Sequence, residues 1–363
     1  MFISYYCDYG MLIANLQTII IKFQYMKRLI LFLSFVSFTS LIHAQRIKIL
    51  TNSAKISLRG LSVVNDNVVW ASGSKGQVAR STDGGKKFEW ITVKGYEQRD
   101  FRDVEAFEAN TALIMAVDSP AVILKTSDGG KSWKEVFHND TKGMFLDAMD
   151  FTADGNGIVV GDPVDGKLFI ATTVNNGDKW LALRPEDNAY TAAEGEAFFA
   201  SSGTNVKLDG SKYKPFICFA TGGTDSRLFV NGSPAALKII HGQGSQGANS
   251  VDVDPALKKI AIVGGDYAND TLTKNNIELF TMNGEQLLNA PVQTPPHGYR
   301  SCVAFLTSSV LVACGTSGVD VSTDGGLNWK LISNESFHVC TKAKKGSAVF
   351  LAGKDGRIAK LVQ

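Results

Sequence analysis

The sequence has little of what usually marks catalysis, metal binding or membrane insertion. Its 363 residues hold five cysteines, and no pair has the short spacing of a zinc ligand set. Cys7 lies near the N-terminus; Cys218, Cys302, Cys314 and Cys340 all sit in apolar, strand-like runs. Buried free thiols are the expectation, with a Cys302–Cys314 bridge between successive strands as the alternative. A chain this long can bury a core without disulfide staples. An excess of one charge is also missing, since 37 Lys and Arg face 35 Asp and Glu. Setting aside residues 1–44, which carry Lys22, Lys27, Arg28 and Asp8, makes the two signs equal. A uniformly basic surface is thereby excluded, and no nucleic-acid partner is expected. There is no Gly-x-Ser-x-Gly elbow, and the glycine-rich stretch Gly242–Gly247 lacks both a Walker lysine and a following helix pattern. No cofactor and no metal are expected.

What is present begins with a leader. Met26-Lys27-Arg28 precedes the apolar run Leu29 to Phe38 and then Ser40-Leu41-Ile42-His43-Ala44-Gln45. A basic start, a short apolar core and a small residue before a polar one are the pattern of a secretory signal peptide over 26–44, with Ala44 the last residue removed. The run is shorter than the about 20 residues that span a bilayer, so no integral span is expected beyond it. Residues 1–25 are an upstream extension, and 45–363 form one domain, periplasmic or extracellular.

The whole chain carries 35 glycines and only nine prolines, as many short strands with tight turns require. One turn recurs: Ser81-Thr82-Asp83-Gly84-Gly85-Lys86-Lys87-Phe88, Thr126-Ser127-Asp128-Gly129-Gly130-Lys131-Ser132-Trp133 and Ser322-Thr323-Asp324-Gly325-Gly326-Leu327-Asn328-Trp329. A fourth copy has Asn175 at the acidic position and ends on Trp180. The spacing near 45 residues, with a gap close to three periods before the last copy, predicts an all-β, seven-bladed propeller of four-stranded antiparallel blades. Two blades lack the turn motif. The last has only three strands, so Arg46–Leu50 is expected to complete it and close the ring. Asp83, Asp128, Asn175 and Asp324 are assigned structural roles: a carboxylate or amide accepts backbone N–H groups further along, and the glycines permit positive φ.

Aligning the units places Arg59, Arg102, Leu146, Glu194, Asn249, Arg300 and His338 at the starts of the innermost strands, around one channel mouth. Loops carrying Asp162, Asp266 and Tyr267 are expected on that face, with the Asp-box turns on the other. Arg59, Arg102 and Arg300 form either a focused anion site or ion pairs with Asp162, Glu194, Glu196 or Asp266 that hold the mouth together. Glu194, Glu196 and Asp162 are the candidates for acid–base chemistry, should there be any.

The boxes and their spacing resemble the BNR/Asp-box propellers, and over 46–363 the chain is most similar to the photosystem II assembly/stability factor family, the Ycf48-like proteins. That resemblance implies a non-enzymatic propeller that binds partner proteins through an Arg-rich patch. Sialidases share the Asp box and use three arginines on a propeller mouth, which makes an acidic-sugar glycosidase the alternative. Against it, the chain lacks an Arg-Ile-Pro near the start of the domain and an assignable Tyr-Glu nucleophile pair. The partner is expected to be a protein, or an anionic or carbohydrate ligand.

Overall fold

The computed structural model describes residues 21–27 and 45–362, apart from 53, 212, 213, 257 and 285. Residues 21–27 are helical and belong to a separate unit; Arg46–Val362 is the propeller. Nearly all of the proposed leader lies outside the described residues. Among those described, no helix is long and apolar enough to cross a membrane.

Seven antiparallel blades follow one another along the chain. Their innermost strands are Leu58–Val63, Phe101–Ala106, Leu146–Phe151, Val206–Ser211, Gln246–Val253, Cys302–Phe305 and Val339–Lys342. Second strands such as Val69–Gly73 and Ala112–Ala116 are buried at every position, because each blade is covered on both faces by its neighbours. The ring closes as the sequence predicts: Arg46–Thr51 pairs antiparallel with Ile358–Val362, so both chain ends share blade seven. Ile47 and Leu50 of that strand pack on the core formed by blades one, six and seven.

Blade four departs from the expected register. Its inner strand is Val206–Ser211, not the segment from Glu194, and its outer strand is Ser233–Ala236. The alternating Glu194–Phe199 segment has the look of an inner strand but forms only a two-residue strand, Glu196–Ala197. Through Gly222–Gly223 it is stitched to the sheet of blade five. A Cβ on Gly222 would lie 2.9 Å from the Gly247 Cα, so this crossing of backbones needs glycine.

At the recurrent turns, Ser81, Thr126, Thr173 and Ser322 each donate a hydroxyl to Asp83, Asp128, Asn175 and Asp324 at 2.8–2.9 Å. The same side-chain oxygens accept the N–H four residues on, at Lys87, Ser132, Lys179 and Asn328. The Ser132 hydroxyl and backbone hold the Asp128 carboxyl down at about 2. Gly85, Gly130 and Gly326 have φ of 84°, 90° and 94°, which their place in the turn demands. The Trp133 and Trp329 indoles donate to the Gly130 and Gly326 carbonyls.

The four described cysteines are free and buried. Cys302 and Cys314 face each other across blade six with thiols in contact but unjoined, and the Cys340 sulfur lies 3.7 Å from that of Cys302.

Candidate functional site

The channel has a cavity at each end. The one at the start of the inner strands is about 340 Å³ and is lined by Arg59, Arg102, Phe199, Ala200, Ser201, Asn249, Tyr267, Tyr299, Thr316 and His338. Arg59, Arg102, Tyr299 and His338 enter at or just before the starts of inner strands, Asn249 from within the fifth, Tyr267 and Thr316 from loops joining second and third strands, and Phe199, Ala200 and Ser201 from the segment leading into blade four. Four members of the aligned column line this cavity: Arg59, Arg102, Asn249 and His338. No carboxylate is among the lining residues.

Two of the three arginines line this cavity, and their partners differ. Arg102 donates its Nε to Asp100 at 2.9 Å and lies over the Phe145 ring. Arg59 has one hydrogen bond, from Nη1 to the Ser201 carbonyl at 3.1 Å, and no ion pair among the described residues. Burial, then the neighbouring Arg102, push its guanidinium below the usual range. His338 is held at about 3 by burial and by Arg59, Arg102 and Lys354, so its ring is neutral at pH 7. Burial raises the Tyr299 hydroxyl to about 12, and that hydroxyl donates to the Asn249 amide oxygen at 2.8 Å. The Ser201 hydroxyl donates to the same oxygen at 2.9 Å. The Thr316 hydroxyl is buried in the wall with no hydrogen-bond partner.

The third arginine is elsewhere. Arg300 is wholly buried behind the wall and saturated. It binds Asp320 through Nε and Nη2, the Tyr299 carbonyl and Ser317 hydroxyl through Nη1, and the His297 carbonyl through Nη2. The expected trio of mouth arginines is thus corrected to a pair, because Asp320 on the third strand of the same blade captures the third.

The acidic candidates are also corrected. Glu196 is buried and forked onto Arg227, with Oε1 accepting from Nε at 2.8 Å. Glu194 lies in the turn before that strand and does not line the cavity, since Ser201 occupies the place expected of it. Asp162 accepts the Phe198 N–H at 2.9 Å, which binds blade three to the linking segment, and burial raises its carboxyl to about 6. Asp266 accepts from Gln246 and the Ala268 N–H. Neither Asp162 nor Asp266 lines the mouth. The pair of carboxyls that a glycosidase sets about the scissile bond is absent from the described wall. Tyr190 packs against Phe219 and Phe229 and takes no part.

The opposite end, on the side of the Asp-box turns, also carries charged side chains. Its cavity, about 330 Å³, lies on the side of the hairpins that join first and second strands. The Asp-box turns are tied to those hairpins, for example through Gly84 N–H to the Asn67 carbonyl. Lys207 sits there between Asp150 at 3.5 Å and Asp252 at 3.9 Å, and Lys344 pairs with Glu105. The two aspartates raise the Lys207 ammonium above its ordinary range. Asp150, Asp252 and Ser62 also accept the N–H of the next blade's inner strand, at Leu208, Phe305 and Ala106. This ring stitches blades together. Its signal in the sequence was a charge flanked by apolar residues within an inner strand, as in Met149-Asp150-Phe151 and Val251-Asp252-Val253.

No family model and no curated protein matches the chain. Solved structures do. A YCF48 bound to a D1 peptide superposes with a TM-score of 0.61 at 16% identity, over 87% of this chain and 95% of the other. YCF48 from Cyanidioschyzon merolae gives 0.60 at 19% identity, over 87% and 98%. The WD40 propeller domain of Doa1 gives 0.57 at 14%, over 88% and 97%. The fold is therefore a seven-bladed propeller similar to those of YCF48 and WD40 proteins, and at these identities the likeness carries no residue roles.

Proposed function

We propose that this protein is an exported, non-enzymatic binding propeller of the Ycf48-like kind, which captures an anionic group of a partner protein at the mouth lined by Arg59 and Arg102. One observation carries the reading: Arg59 is a largely buried guanidinium with a single carbonyl partner, set beside a second guanidinium in a cavity without a lining carboxylate. A desolvated guanidinium short of acceptors is satisfied when an anionic occupant supplies them. The fold likeness to a YCF48 carrying a peptide supports a protein partner, and the leader pattern of 26–44 supports export.

The glycosidase alternative has lost its acids: Glu196 is tied to Arg227, Asp162 to a backbone N–H, and Glu194 lies outside the cavity. The test is cross-linked capture of partners from the exported fraction, comparing wild type with Arg59→Gln/Arg102→Gln. The double variant is expected to lose the captured set while keeping its unfolding midpoint. An unchanged set on a folded double variant would sink the mouth as the binding site. Turnover of sialosides or aryl glycosides by the wild type would sink the non-enzymatic reading.

A further inference from the structure

The mouth has two unlike walls. Blades one and two supply Arg59 and Arg102, whereas the side formed by blades four to six supplies Phe199, Tyr267 and Tyr299. The three rings form one edge-to-face chain, with Phe199 and Tyr267 centroids 6.1 Å apart and Tyr267 and Tyr299 6.3 Å apart. Tyr299 is buried at the base; Tyr267 stands at the rim, 51% exposed. An exposed ring braced from beneath by two others is a rigid surface for a further ring, at little cost in side-chain entropy.

The charge is small and of one sign. Asp100 pairs with Arg102 and also attracts Arg59, and the buried His338 ring is neutral, so the two lining guanidiniums and this one carboxylate leave a surplus of about one positive charge. A monoanion neutralises it; a phosphate, at about −1.5 to −2, would leave excess negative charge in a desolvated site. The cavity volume, about 340 Å³, is at the lower end of the about 300–1,000 Å³ of small-ligand sites, so it takes a pair of side chains rather than a long chain of sugars.

Resting on the reading of this mouth as the partner site, we infer that it selects an internal acidic–aromatic sequence: an Asp or Glu carboxylate held by Arg59 and Arg102, next to a Phe, Tyr or Trp packed on Tyr267. The two walls make both groups necessary. The carboxylate supplies the acceptor that Arg59 lacks, and the ring covers Tyr267.

The test is selection of a displayed random heptapeptide library on the whole chain, with the peptide C-terminus fused so that no terminal carboxylate is offered. Arg59→Gln/Arg102→Gln serves as the counter-selection. The expected winners hold an acidic residue within two positions of an aromatic one. In a C-terminally amidated synthetic copy of a winner, acid→amide and aromatic→Ala changes each lower affinity tenfold or more. Tyr267→Ala, at an exposed position, removes the dependence on the ring and keeps the dependence on the acid. Winners without the acidic–aromatic pair, or a ring dependence that survives Tyr267→Ala, overturn the inference while leaving the mouth a peptide site. Synthetic copies are also made with a free C-terminus, and binding by these alone, with none by the amidated copies, overturns it in favour of a terminal carboxylate. No enrichment of wild type over the double variant overturns this inference and the mouth reading together.

Discussion

Arg300 donates its Nε to Asp320 Oδ2 at 2.8 Å with neither side chain exposed to solvent, and Asp320 also accepts from the His297 ring at 2.7 Å. The guanidinium ties three parts of the sixth blade's approach together, reaching the His297 and Tyr299 carbonyls and the Ser317 hydroxyl. Removing one partner of such a pair leaves a buried charge uncompensated, at a cost of about 3–5 kcal/mol, whereas replacing both by apolar groups is far cheaper. Arg300→Met is therefore expected to be destabilised by that amount in urea unfolding, and Arg300→Met/Asp320→Leu to recover part of it. A loss below about 1 kcal/mol for Arg300→Met would show that the pair does not hold the blade.

Arg59 should behave in the opposite way. Its charge is desolvated, its neighbour is Arg102, and its one hydrogen bond is to the Ser201 carbonyl. Arg59→Met keeps the aliphatic stem and deletes the repulsion, so its stability is expected to equal or exceed that of the wild type by up to about 1 kcal/mol, while partner capture falls. Destabilisation comparable to that of Arg300→Met would mean that Arg59 is structural.

Two titrating groups are expected to give stability slopes of opposite sign. Asp162 has its carboxyl raised by burial to about 6, above its ordinary 3.8. Between these values the folded state holds the proton more often than the unfolded, so stability falls as pH rises from about 4 to 6. His338 is lowered by burial to about 3 from 6.5. Over that interval the unfolded state holds the proton, so stability rises with pH up to about 6.5. Melting temperatures from pH 4 to 7 are expected to rise more steeply for Asp162→Asn than for wild type, and less steeply for His338→Gln. Parallel curves for all three would mean that neither group is perturbed as described.

The fold was legible because its signals are local and repeated. A box turn needs only its own Ser or Thr, its Asp and two glycines, as Ser81, Asp83, Gly84 and Gly85 illustrate, and its period counts the blades. The closing strand was legible from the three-stranded last unit. The site was legible only in part. Arg59 and Arg300 occupy the same column, and what separates them is the presence of Asp320, which reaches Arg300 only because the third strand folds back beside the first. Glu196 was drawn away in the same manner by Arg227, 31 residues on. The blade-four error arose because Glu194–Phe199 alternates like a strand, and nothing local marks it as a link between blades. The aromatic wall was missed as a unit because Phe199, Tyr267 and Tyr299 come from three separate segments.

Closure of the ring rests on one strand. Arg46–Thr51 pairs with Ile358–Val362 from Arg46 opposite Val362 to Thr51 opposite Ile358. Without it, Ile358–Val362 would present unpaired N–H and C=O groups along its whole outer edge, and Ala359 and Leu361 would lose the cover that Ile47 and Leu50 give their side of the core. A chain starting at residue 52 is therefore expected to fold less stably and to associate through that edge. The exposed edge accounts for the association and the lost apolar cover for the instability, so the two effects can be separated. Supplying the peptide Arg46-Ile47-Lys48-Ile49-Leu50-Thr51 in trans should restore the monomer, because it rebuilds the ladder. A peptide with Ile47 and Leu50 changed to Ala should cap the edge less well and leave the melting temperature low. Sedimentation and thermal unfolding of the shortened chain, with and without each peptide, measure both. A shortened chain that stays monomeric and as stable as the full one would show that blade seven closes on three strands.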